Sequence, residues 1–193
     1  MRPSIADYAG AAIDVLDALG IERATVVGHH TGAVIAVEMA AAFATRVDRV
    51  VLSGPVYTDA AGREDLRRFF KQWTVAPDGS HLLEKWTRMQ QWLPHPELVQ
   101  RLVVDLFRAG EASEQGHLAV ADYRMEERLP SVRCPALLLF CTRDPFTTPE
   151  RVEPLRNAFA PCRVTSIEAG VFAANEQPER YAQAVLDYLR NPP

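Results

Sequence analysis

The sequence has no apolar run long enough to cross a bilayer and no cluster of basic residues. Its longest apolar stretches, such as 135–141, are far shorter than the roughly 20 residues that a membrane helix needs. The 21 Lys and Arg residues are scattered among 25 Asp and Glu residues, for a formal charge of −4. This balance argues against nucleic acid and membrane surfaces as partners. The first residues lack the apolar segment of a signal peptide, so we expect a cytoplasmic protein.

Cysteine is also scarce, and the three present (Cys134, Cys141 and Cys162) have no metal-ligand spacing. Free thiols in a reducing compartment are the expectation for such a set. Cys141 is interpreted as a small buried apolar residue rather than a nucleophile. No motif requires a metal or a cofactor, and we expect neither.

Strand and helix patterns alternate along most of the 193 residues. Helical periodicity covers 4–19, with Ser4 and Asp7 in the positions of a capping box. Continuous apolar runs, typical of strands buried on both faces, are separated by further helix patterns. These runs predict a parallel α/β sheet. The predicted strands are 24–28, 47–52, 135–141 and 163–167, and the other predicted helices of this part are 31–44, 149–158 and 178–189.

The segment 57–130 has a different character, because it holds all three Trp residues and no strand pattern. It predicts a helical insertion that covers the sheet as a lid, within a single domain whose core is 1–56 and 131–193. Trp73 and Trp86 are candidates for lining a pocket beneath it. The predicted helices of the insertion are 62–73, 80–92, 96–109 and 112–127.

The first predicted strand runs directly into Gly28-His29-His30-Thr31-Gly32, and a long apolar helix follows at once. A strand, a turn bracketed by glycines with a polar central residue, and a helix are the features of a nucleophile elbow. The elbow glycines Gly28 and Gly32 allow strand and helix to cross closely. The central residue here is His30 rather than Ser, Cys or Asp.

Three separated blocks, 7–40, 133–149 and 167–189, resemble the α/β-hydrolase family in the order in which they occur. The first is similar to the family's helix, strand, elbow and helix. The second resembles the strand that delivers the acid of the catalytic triad, with Asp144 in the acid position. The third is similar to the final strand, the loop of the catalytic histidine and the last helix. The resemblance implies an α/β-hydrolase sheet.

The family's catalytic residues are only partly present. His30 occupies the nucleophile position, and Val171 occupies the position of the catalytic histidine. The chain begins at the helix before the elbow, so we expect the family's front strands, and the loop with the second oxyanion donor, to be missing. A serine-hydrolase mechanism is excluded on these residues, because Val171 cannot accept a proton.

The paired changes at positions 30 and 171 lead to a specific hypothesis. Val171 vacates the space of the family's catalytic ring, so His30 is expected to lean into it and bond to Asp144. Such a His–Asp dyad could activate water, or take a proton from carbon, without a covalent intermediate. The Thr31 backbone N–H is the expected oxyanion donor.

Val171 and His29 are further candidate substrate contacts, although the position of His29 beside His30 predicts a ring turned toward the helix packing. Two functions remain open on these residues. One is an enzyme, a hydrolase or lyase acting on a small apolar carbonyl, ester or lactone. The other is a catalytically silent protein that binds a ligand or a partner through a site that retains only the fold.

The missing front strands also bear on assembly. Without them, the strand 24–28 is an exposed apolar edge, which invites pairing with another chain. We therefore expect a homodimer, or a complex with a separate N-terminal half.

Overall fold

The computed structural model describes residues 2–70, 73–93 and 95–191, and it contains the parallel sheet that the sequence predicts. Four strands lie in the order β1-β2-β3-β4, and every neighbouring pair is parallel. All four carboxyl ends therefore meet at one edge of the sheet, where ligands bind in open α/β folds. The strands are β1 (Ala24–His29), β2 (Val47–Ser53), β3 (Ala136–Cys141) and β4 (Cys162–Ile167).

Ten helices accompany the sheet in the described part of the chain, and none of them is long and apolar enough to cross a membrane. Short 3₁₀ turns at Gly110–Glu114 and Leu129–Ser131 supplement them. The helices are α1 (Ile5–Ala18), α2 (Thr31–Ala42), α3 (Ala60–Phe69), α4 (Ser80–Gln90), α5 (Pro96–Ala109), α6 (Gln115–Asp122), α7 (Met125–Arg128), α8 (Pro149–Ala158), α9 (Ala173–Glu176) and α10 (Pro178–Arg190).

Helix α1 begins where the sequence predicts, because Ser4 and Asp7 form the expected capping box. The Ser4 hydroxyl accepts the Asp7 N–H, and the Asp7 carboxylate accepts the Ser4 N–H at 2.8 Å. Its buried positions Ile5, Ala9 and Ile13 recur at helical spacing and pack in the main core with α2. The apolar stripe read from the sequence is therefore the face that this helix buries.

Helix α2 is apolar on nearly every side, and it is enclosed in the core. Its one charged residue, Glu38, is 5% exposed and has its partners outside the helix. The Arg128 guanidinium donates to both Glu38 oxygens, at 2.8 and 3.0 Å, and the Tyr123 hydroxyl donates at 2.7 Å. A buried carboxylate needs such partners to offset its lost hydration. This cluster therefore ties the end of the α3–α7 segment to the core helix.

The helices between β2 and β3, called here the insertion helices (α3–α7), follow the predicted pattern with two changes. The helix predicted over 112–127 is broken at Tyr123 and Arg124, which leave helical backbone geometry. The break lets Tyr123 and Arg128 both reach Glu38. The helix predicted over 62–73 ends at Phe69, because Phe70 leaves helical backbone geometry, and residues 71, 72 and 94 lie outside the described residues.

The apolar pattern of β1 predicts burial on both faces, whereas the expected loss of the family's front strands predicts an exposed edge, and the described sheet has the edge. This strand is at one edge of the described sheet and pairs only with β2 there. Val27 is consequently 47% exposed, whereas strands β2 and β3 are almost fully buried. A continuous apolar run indicates a strand, but it does not indicate how many neighbours that strand has.

We predict that Gly28→Ala destabilises the fold strongly. A methyl group at position 28 would lie 2.1 Å from the backbone oxygen of Gly32, and the rigid turn cannot move away cheaply. Overpacking of this kind costs about 3 kcal/mol. The measurement is urea unfolding followed by circular dichroism.

Gly10→Ala is the matched control, because a methyl group there meets nothing within 4 Å. Position 10 lies inside α1, so we expect this variant to gain about 0.5–1 kcal/mol. Equal stability of the two variants would show that the elbow does not require glycine at 28.

Candidate functional site

The turn after β1 has an unusual backbone. His30 has φ +48° and ψ −112°, and it is the one non-glycine residue with positive φ in the described part of the chain. Such a conformation costs about 1–3 kcal/mol and persists only where the surroundings impose it. Here the close crossing of Gly28 and Gly32 imposes it. The result places His30 at the N-cap of α2, with its side chain turned away from the helix rather than capping it.

The His30 side chain reaches the loop after β3. Its Nε2 lies 2.8 Å from Asp144 Oδ2, and Asp144 is 4% exposed. The second carboxylate oxygen accepts the Phe146 backbone N–H at 2.9 Å. Glycine at 54 leaves room for the pair, because a methyl group there would lie 2.6 Å from His30 Cδ2. Three strand ends thus position one imidazole and one carboxylate.

The hydrogen bond determines which nitrogen of His30 carries the proton. A carboxylate only accepts hydrogen bonds, so Nε2 is the donor and Nδ1 has the free lone pair in the neutral ring. Nothing within the described ranges makes a hydrogen bond to His30 Nδ1. A histidine oriented in this way by a carboxylate is equipped to accept a proton.

The ring of His29 does not turn toward the helix packing, and that prediction is wrong. Its Nδ1 lies 2.9 Å from Ser53 Oγ and its Nε2 2.7 Å from the Val171 carbonyl oxygen. The carbonyl oxygen can only accept, so Nε2 carries a proton. Burial, and then the neighbouring His30, lower the pKa of His29. The ring bridges the ends of β1 and β2 to the loop after β4, a contact that sequence alternation alone does not reveal.

A cavity of about 90 Å³ opens beside the His30 ring. Its wall is mostly aromatic and aliphatic, and its polar members come from the elbow and from the insertion helices. Val171 lines it as expected, whereas His29 does not. The lining residues are His30, Thr31, Val56, Leu66, Phe69, Phe70, Arg88, Trp92, His117, Val120, Phe146, Val171 and Phe172.

Trp73 and Trp86, expected at the pocket, do not line this cavity. Trp73 donates from Nε1 to Ser113 Oγ at 2.9 Å, and Trp86 packs in the cluster formed by α4 and α5. Trp92 is the tryptophan in the cavity wall. Aromatic spacing along the helices gave no way to choose among the three, because the packing of the helices on the sheet decides which one faces inward.

Thr31 lies at the start of α2 and lines the cavity beside His30. Its backbone N–H has no acceptor among the residues that the structure describes, as is usual in the first turn of a helix. The partial positive charge of the helix N-terminus lies here as well. The position can therefore donate a hydrogen bond to an oxygen that gains negative charge.

The cysteines contribute no reactive thiol here. All three are free, and burial raises the pKa of Cys141 to about 12. A thiol with that pKa is almost wholly protonated at neutral pH, which agrees with the interpretation of Cys141 as a buried apolar residue. Across the described ranges, no three His, Cys, Asp or Glu side chains cluster closely enough to hold a metal ion.

Comparison with known proteins agrees with this architecture. Residues 2–184 match the model of the alpha/beta hydrolase family. The carboxylesterase YbfK of Bacillus subtilis (strain 168) is 27% identical over 191 residues. That match covers 95% of this chain but 63% of the relative, so the chain spans less than two thirds of the relative's length.

Solved structures show the same fold. A hydrolase from Pseudomonas aeruginosa PA01 superposes with a TM-score of 0.77 at 21% identity, covering 98% of this chain and 73% of that chain. The enol-lactonase from Burkholderia xenovorans LB400 has the same TM-score and identity, covering 98% and 74%. The α/β-hydrolase sheet inferred from the three sequence blocks is thereby confirmed.

The lowered pKa of His29 predicts a specific loss of stability in mild acid. Because the folded state resists protonating this ring, the unfolded state binds more protons as the pH falls below about 6.5, the ordinary pKa of histidine. The free energy of unfolding should therefore fall between pH 7.5 and pH 5.5. His29→Gln should show a smaller fall, because glutamine does not titrate and its amide can still donate to the Val171 carbonyl.

Urea unfolding at the two pH values measures the difference. Both proteins share every other titrating group, so the comparison isolates His29. An equal fall in the two proteins would contradict a neutral His29 in the folded state.

Proposed function

Because the chain belongs to the alpha/beta hydrolase family, we propose that it is a hydrolase in which His30, oriented by Asp144, acts as a general base on water. The single observation that supports this most is the 2.8 Å contact of His30 Nε2 with Asp144, which leaves Nδ1 free beside an apolar cavity. The proposed substrate is a small ester, lactone or related carbonyl compound. The insertion helices are proposed to act as its lid.

The reaction needs no covalent intermediate. His30 Nδ1 takes a proton from a water molecule, and the water oxygen attacks the carbonyl carbon of the substrate. The carbonyl oxygen becomes an oxyanion, which accepts a hydrogen bond from the Thr31 N–H. The proton on Nδ1 then passes to the leaving oxygen as its bond to carbon breaks. The products are a carboxylic acid and an alcohol, or a hydroxy acid from a lactone.

The position of Nδ1 supports this sequence of steps. In a histidine ring, Nδ1 is bonded to Cγ, the ring carbon that is attached to Cβ. It therefore lies nearer the backbone than Nε2 does. A water bound to Nδ1 is therefore close to the elbow and to the Thr31 N–H. Asp144 stabilises the imidazolium that forms, as the carboxylate does in a serine-hydrolase triad.

Asp144→Ala and His30→Ala should each lower kcat/KM for a 4-nitrophenyl ester by about 10²–10⁴-fold, the usual contribution of a general base. His95→Ala is the control, because His95 is exposed and does not line the cavity. Release of nitrophenol measures the rate, and thermal unfolding checks that each variant is folded. Equal background rates in all four proteins would instead favour a catalytically silent, ligand-binding protein.

Isotope labelling separates this mechanism from nucleophilic attack by a protein carboxylate such as Asp144, and mass spectrometry separates it from any other acyl-enzyme route. In ¹⁸O-water, a single turnover should place one label in the product acid and none in the protein. An acyl-enzyme seen by mass spectrometry would overturn the general-base proposal.

Assembly is the second part of the proposal. β1 has one strand partner in the described sheet, and Val27 on it is 47% exposed. We infer that this edge pairs with a second copy or with another chain segment.

Val27→Lys should weaken that association, because a charge on an edge strand opposes pairing. Sedimentation velocity over a range of concentrations measures it. A wild-type chain that stays monomeric at every concentration would contradict self-pairing.

A further inference from the structure

The cavity beside His30 contains one permanently charged side chain. Arg88, on α4, lines it from the side of the insertion helices, whereas His30 and Thr31 line it from the side of the sheet. The guanidinium carbon of Arg88 lies 4.7 Å from the centre of the Phe69 ring and 5.6 Å from that of Phe70. Stacking on these rings orients the guanidinium group without using its N–H donors in strong hydrogen bonds.

Glu114, the buried acid whose charge interacts with that of Arg88, makes its hydrogen bonds to other groups. Glu114 is 4% exposed, with Oε1 lying 3.3 Å from Lys85 Nζ and Oε2 lying 2.9 Å from His117 Nδ1. Burial raises the pKa of Glu114, but His117, Lys85 and Arg88 together hold it below its ordinary value. Both oxygens of this buried carboxylate are thus engaged by other cations or donors.

The structure does not describe the side chain of Glu111. Among the side chains that it does describe, no carboxylate forms an ion pair with Arg88 within 4 Å. The one hydrogen bond of Arg88 is a long one, from Nη2 to the Phe69 carbonyl oxygen at 3.5 Å. The guanidinium group therefore keeps most of its five N–H donors available. A planar donor fork of this kind matches the two oxygens of a carboxylate.

We propose that Arg88 binds a carboxylate of the substrate, so that the preferred substrates are esters or lactones that also carry a free acid group. The acid binds at Arg88, the apolar part of the molecule lies against Phe146 and Trp92, and the carbonyl group lies at His30. This inference rests on the proposed function, because it names the class of substrate that the same cavity takes. Arg88 is then the residue that sets specificity for charge.

Hydrolysis of two matched esters tests this assignment. 4-Nitrophenyl hemisuccinate carries a carboxylate, and 4-nitrophenyl butyrate is neutral with the same leaving group and chain length. We expect Arg88→Met to lower kcat/KM for the hemisuccinate by roughly 10- to 100-fold, mainly through KM, the effect of losing a charged hydrogen bond. The rate on the butyrate should fall by clearly less than the rate on the hemisuccinate, because that ester makes no charged contact with Arg88.

Two further variants complete the design. Arg88→Lys keeps the charge without the fork, and it should keep part of the preference for the hemisuccinate. Arg101→Met removes an exposed arginine of α5 that does not line the cavity, and it should change neither rate. A preference for the hemisuccinate that survives in Arg88→Met would overturn the inference while leaving the general-base proposal intact.

A binding measurement keeps the test independent of turnover. Phenylacetate and phenylacetamide have the same shape and differ in charge, and Trp92 in the cavity wall reports binding through tryptophan fluorescence. The wild-type protein should bind phenylacetate more tightly, and Arg88→Met should bind the two equally. Equal binding of the two compounds by the wild-type protein would overturn the inference, even if neither ester is hydrolysed.

Discussion

The close crossing of strand β1 and helix α2 is the constraint on which the site depends. The Cα of Gly28 and the carbonyl of Gly32 approach so closely that no side chain fits between them. That approach forces His30 into a positive-φ conformation and projects its ring from the top of the sheet. The ring then reaches Asp144, which the end of β3 supplies. A backbone requirement thus places an imidazole where this fold usually places a nucleophile.

The partners of the buried carboxylates show how this pair differs from structural ion pairs. Glu38 is bound by Arg128, and Glu176 accepts from the Gly170 N–H and from Arg143. Arginine cannot lose its proton near neutral pH, so these contacts serve stability alone. Asp144 instead binds a histidine, as the buried Glu114 also does, and an imidazole is a group that can accept a proton. Of these two histidines, His30 is the one that the elbow places next to Thr31, the proposed oxyanion donor.

Much of the fold was predictable because the core strands and α1 are specified by local signals. Apolar runs identified β2 and β3, and Ser4 with Asp7 identified the start of α1. The apolar run of β1 did not predict the exposure of Val27, but the family resemblance, with its front strands missing, predicted an exposed edge there. His30 and Asp144 were recognisable because each follows a strand whose end carries the chemistry in this fold.

The rest of the site depends on packing that a sequence pattern does not encode. The residues that flank the three tryptophans (Trp73, Trp86 and Trp92) do not distinguish them. The packing of the helices on the sheet decides that Trp92 is the one that lines the cavity. The sequence alone gives no sign that Arg88 differs from an ordinary solvent-exposed arginine on an amphipathic helix. Strand alternation predicts only the face of the sheet on which His29 lies. It does not predict that the loop after β4 lies close to this ring and that the Val171 carbonyl oxygen accepts a hydrogen bond from it.

Nitrogen NMR of histidine-labelled protein tests the central claim most directly, because it reads the His30 ring without any substrate. The account predicts that the neutral His30 ring carries its proton on Nε2 and not on Nδ1, and that Asp144→Ala removes this preference. A neutral ring with its proton on Nδ1, or a mixture of tautomers that the loss of Asp144 does not change, would contradict it.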